Sequence, residues 1–104
     1  MDTQEILHLS IEVLREGTLY HKEFGFMSDG FVFTRTSMME ENQDEDGWKT
    51  YGWRRLEGPD NNPVCISLDV LYTLAPLANR KGWCVEWNPN YEPSIQTYVK
   101  HTSF

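Results

Sequence analysis

Leu19-Tyr20-His21-Lys22-Glu23-Phe24-Gly25-Phe26-Met27-Ser28-Asp29-Gly30-Phe31-Val32-Phe33-Thr34-Arg35-Thr36-Ser37-Met38 is the stretch on which the fold turns. Side chains alternate with a period of two on both sides of Asp29-Gly30, a dipeptide suited to a tight turn between antiparallel strands. The stretch therefore predicts a β-hairpin of Leu19–Met27 and Phe31–Met38. With a two-residue Asp29-Gly30 loop, Ser28 faces Phe31, and Phe24, Phe26, Phe31 and Phe33 fall on one side as core candidates.

Upstream, the apolar pattern reads as helical. Asp2 or Thr3 can cap a first helix through about Glu16, Glu5 stands three residues after Asp2 as in a capping box, and Gly17 suits the position past a helix end. Ile6, Leu7, Leu9, Ser10, Val13 and Leu14 then share one broad face.

Downstream of the hairpin comes an acidic loop, Glu40-Glu41-Asn42-Gln43-Asp44-Glu45-Asp46-Gly47, then a third strand, Trp48–Leu56, and a Gly/Pro/Asn loop over 57–63. A second helix is predicted from about Ser67 to Arg80, with Gly82 just past its end and Pro76 kinking or splitting it. Strands follow at Trp83–Trp87 and Ser94–His101. The expected fold is α+β, a mainly antiparallel five-stranded sheet with two helices on one face, in the order α-β-β-β-α-β-β, and a single domain over residues 1–104.

Composition narrows the partners. The 104 residues carry a formal net charge of −7, which repels phosphate backbones and favours encounter with a basic protein. Direct nucleic-acid binding is not expected, since Arg54 and Arg55 point to opposite strand faces and Arg80-Lys81 suit a helix C-terminus. No apolar run approaches the ~20 residues of a membrane span, and Met1-Asp2-Thr3-Gln4-Glu5 lacks the basic and apolar regions of a signal peptide. The expectation is a cytoplasmic protein with no membrane partner. Cys65 and Cys84 sit in separate apolar stretches without a Cys/His cluster, so free buried thiols are expected and zinc is not.

Catalytic and metal signatures are lacking. Asn42-x-Asp44-x-Asp46-Gly47 matches the first half of a calcium loop, but Lys49 and Trp53 occupy the positions that need an apolar residue and a bidentate Glu. His21 and Glu23 share a strand face with no nucleophile placed beside them, and His8 lies between Glu5 and Glu12 at helical spacing. Neither a hydrolase elbow nor a glycine-rich phosphate loop occurs. No cofactor, no metal and no enzymatic activity are expected.

The aromatics are more suggestive. Strand alternation sends Trp48 and Trp53 to opposite faces, so one of them should leave the helix-covered core beside the acidic loop. The leading expectation is an acidic, non-enzymatic protein-binding module, an inhibitor or immunity-type protein of the kind phages and toxin systems encode. It would occlude a basic, nucleic-acid-handling partner such as a nuclease. Glu40, Glu41, Asp44, Glu45 and Asp46 would steer the partner, with Trp48 and Trp53 as anchors. The alternatives are a small-molecule-binding or catalytic α+β domain with an aromatic-lined pocket, and a homo-oligomer that buries the uncovered sheet face.

Overall fold

The structure, a computed structural model, describes residues 3–40 and 47–91. Its elements are β1 (Glu5–Arg15), β2 (Thr18–Met27), β3 (Val32–Glu40), β4 (Lys49–Thr50), β5 (Arg54–Arg55), α1 (Leu68–Arg80) and β6 (Cys84–Trp87). The fold is α+β with one α-helix among the described residues, in the order β-β-β-β-β-α-β. All strand pairs are antiparallel, in the spatial order β4-β3-β2-β1-β6 with β5 also beside β3. The expected last strand, Ser94–His101, lies outside the described residues.

The predicted first helix is instead β1, an interior strand paired with β2 and β6. Leu7, Leu9, Ile11 and Val13 form an unbroken period-two series, and a bulge between Glu5 and Leu7 lets Ile6 be buried as well. Gly17 is not a helix terminator. With Glu16 (φ 51°) and Gly17 (φ 80°) both left-handed, it completes a two-residue turn that pairs Arg15 with Thr18. Such a turn matches the right-handed twist of the strands it joins, and here it displaces the helical alternative.

The second hairpin forms as predicted, but one residue out of register. Met27 N–H donates to Phe31 O and Gly30 N–H to Met27 O, which makes a three-residue loop of Ser28, Asp29 and Gly30, the last at φ 95°. Phe26 therefore pairs with Val32 and Phe24 with Thr34, while Phe33 pairs with Gly25. A one-residue slip exchanges faces. The four phenylalanines are thus divided, with Phe24 and Phe26 under the helix and Phe31 and Phe33 on the other side.

The core lies between the sheet and α1, where Leu71, Ala75 and Ala78 pack on Leu7, Leu9, Phe26 and Val32. Leu7, Val32 and Leu71 are fully buried, each contributing roughly 1.5–3 kcal/mol of apolar transfer. Helix α1 starts after Ser67, runs through the half-buried Pro76 without splitting, and ends before Gly82 (φ 92°). Both cysteines are free, but exposed rather than buried, because Cys65 lies in the loop before α1 and Cys84 faces away from the helix on β6.

Candidate functional site on the helix-free face

On the face of the sheet away from α1, strand pairing aligns His8 of β1 with Gly25 of β2, and Glu23 of β2 with Arg35 of β3. Glu23 is a buried carboxylate, 5% exposed, and both its oxygens are engaged. Arg35 Nε donates to Oε2 at 2.6 Å and Nη2 donates to Oε1 at 3.0 Å. These hydrogen bonds hold the Glu23 carboxyl below the usual carboxylate range; burial opposes them, and the charge of Arg35, then of His21 and His8, adds to them. The same pairing raises Arg35 above its ordinary value. A carboxylate tied in this way is a poor proton acceptor, so Glu23 organises the site and does not serve it as a base.

His8 joins two acids. Its Nδ1 is 3.6 Å from Glu5 Oε1, and its buried Nε2 is 3.2 Å from Glu23 Oε1 but too far off line for a hydrogen bond. Trp53 closes over the group. Its ring meets His8 edge to face at 6.0 Å, and the Arg35 guanidinium sits 4.5 Å from the ring centroid. Trp48 makes a similar edge contact with His21 at 6.2 Å.

Trp48 and Trp53 therefore share one face, contrary to the alternation of a continuous third strand. Ser37 pairs with Thr50, yet Thr34 pairs with Arg54. Between these pairs β3 uses Arg35 and Thr36, whereas the facing chain uses Tyr51, Gly52 and Trp53. The extra residue is a bulge, and it inverts the alternation so that Trp53 lies on the side of Arg35. Tyr51, held by its N–H to Thr36 O, and Trp53 stay 56% and 41% exposed.

Cavities open on both faces of the sheet. A pocket of about 340 Å³ on the helix-free face is lined by Glu5, Gly25, Met27, Phe33 and Trp53. An almost wholly apolar groove of about 470 Å³ opens between the sheet and α1, walled by Leu9, Phe24, Phe26, Leu74, Leu77 and Trp83 among others.

Of the expected site residues, Trp48 and Trp53 are brought to one face and Glu40 is the exposed end of β3. Glu41, Asp44, Glu45 and Asp46 lie outside the described residues. Sequence reading missed Glu5, His8, Gly25, Glu23 and Arg35. The helical reading of 2–16 removed the first two from the sheet, and the hairpin slip hid the Glu23–Arg35 pairing, which a three-residue loop would have revealed. Among the described residues no group of three or more His, Cys, Asp or Glu is placed to hold a metal ion, and no helix is long and apolar enough to cross a membrane. Comparison with family models, curated proteins and solved structures finds no match to this chain.

Proposed function

We propose that the chain is a non-enzymatic protein-binding module that engages a basic macromolecule through the helix-free face of its sheet. The observation that carries this reading is Trp53, a large aromatic left exposed yet fixed by Arg35 and His8. Preorganised aromatics of this kind are favoured anchors, because little side-chain entropy is lost on binding. The net charge of −7, concentrated in the 40–46 stretch, supplies long-range attraction to a cationic partner. A nucleic-acid-handling enzyme, with its own basic surface, is the partner class that fits, and the module would act as its inhibitor.

The test is a pull-down with tagged protein from native-host lysate, eluted in salt steps, in parallel with Trp53→Ala and with Glu40, Glu41, Asp44, Glu45 and Asp46 neutralised to Gln or Asn. A stoichiometric basic protein should be retained by the wild type, lost from Trp53→Ala, and held by the neutralised chain with a flatter salt dependence. Retention that neither variant alters would overturn the reading.

The apolar groove beneath α1 favours a second reading, a small apolar ligand seated against Phe24 and Trp83, whose rings pack on each other at 5.7 Å in its wall. A ligand-dependent rise in Tm, lost on filling the groove with Ala78→Leu, would support it.

A further inference from the structure

We infer that the pocket beneath Trp53 is a receptacle for an arginine side chain of the protein partner. The inference rests on the protein-binding reading and assigns that surface its central contact.

Three features of the pocket match a guanidinium. Its walls include Trp53 and Phe33, aromatic rings that attract a planar cation through their faces. Its charged group is Glu5, whose side chain is 42% exposed, in contrast to Glu23, whose oxygens are already occupied by Arg35. Glu5 has His8 as its neighbour at 3.6 Å, so it retains acceptor capacity for a second cation. Gly25 then explains how the carboxylate reaches the pocket. A Cβ at residue 25 would lie 2.6 Å from Glu5 Oε2, so the absence of a side chain gives the carboxylate its place over β2.

The indole already accepts one guanidinium. Arg35 lies 4.5 Å from its centroid, yet Arg35 does not line the pocket, so the contact with Trp53 from within the pocket is separate. The volume of about 340 Å³ falls at the small end of ligand cavities, roughly 300–1,000 Å³, and suits a single side chain better than a cofactor. Charge complementarity with a chain of net charge −7 selects a cationic residue, and the aromatic walls select arginine over lysine.

The experiment needs no partner. Nα-acetyl-arginine amide, the lysine analogue and the neutral citrulline analogue are titrated into the folded protein, and the Gly25 amide and Trp53 indole N–H are followed by NMR. The arginine probe should give saturable shifts at both positions with a Kd on the order of 10 mM, and citrulline should bind at least about fivefold more weakly. Glu5→Gln, at an exposed position, should raise the arginine Kd about fivefold with the rest of the spectrum unchanged. Absence of saturation, equal binding of citrulline or lysine, or an unaltered Kd in Glu5→Gln would each overturn the assignment. Such a failure beside a successful pull-down removes the pocket alone; the reverse pattern removes the protein-binding reading and leaves the pocket.

Discussion

The guanidinium of Arg35 grips both oxygens of Glu23, at 2.6 and 3.0 Å, from the position directly opposite on the neighbouring strand. Glu23 is buried whereas the Arg35 side chain is 32% exposed, so the pair is only partly desolvated. Removing the arginine leaves a buried anion without its partner. Arg35→Met should cost about 3 kcal/mol in urea unfolding, at the lower end for broken buried pairs. Combining it with Glu23→Leu should recover most of that loss, because no charge is then stranded.

The same pair gives an acid dependence of known sign. The Glu23 carboxyl titrates below its ordinary value of 4.5 in the folded protein. Its stabilisation is therefore fully present above about pH 4.5 and lost as pH falls through the lowered folded value. Urea unfolding between about pH 7 and pH 3 should show a steeper acid loss for the wild type than for Glu23→Gln, which cannot titrate at that site. Parallel curves would contradict the assignment.

Deleting Gly52 should remove the surplus residue and leave Thr50, Trp53 and Arg55 in continuous alternation, with Trp53 directly opposite Arg35 on the helix-free face. Nuclear Overhauser contacts between the Trp53 indole and the His8 ring, expected in the wild type from their 6.0 Å separation, should survive the deletion, and their loss would contradict the bulge. Contacts between Trp48 and His21 should persist, since β4 precedes the deletion.

Glu16 occupies a left-handed conformation, φ 51°, at the first central position of the β1–β2 turn. Asparagine tolerates that region better and is favoured before glycine in such turns. Glu16→Asn should stabilise the protein by about 0.5–1 kcal/mol, visible as a Tm increase of a few degrees.

Elements with one available period were legible in the sequence. The Asp29-Gly30 hairpin, the helix after Ser67 and the strand ending at Trp87 all occur close to where their patterns place them. Residues 5–15 were ambiguous because Ile6, Leu7, Leu9, Val13 and Leu14 satisfy a helical face nearly as well as a strand. The deciding information was the Glu16-Gly17 turn, and a glutamate gives little sign of adopting positive φ. The site was illegible for a related reason. It depends on two single-residue offsets, the three-residue loop at Ser28–Gly30 and the bulge at Tyr51–Trp53, and each offset moves every following side chain to the other face. Trp53 was recognised as an anchor from its residue type, while Arg35 and Glu23, which fix it, emerge only once the register is known.

The broken strand that carries Trp53 also decides how this margin of the sheet meets other chains. Beyond β3 the protein presents two strands of two residues each, interrupted by a bulge and bearing Lys49, Arg54 and Arg55. Short, charged, kinked edges are poor templates for strand addition, the route by which exposed sheets coalesce into fibrils. Along this border the molecule can hold an aromatic face open to a partner while refusing the backbone-to-backbone pairing that would extend its sheet without limit.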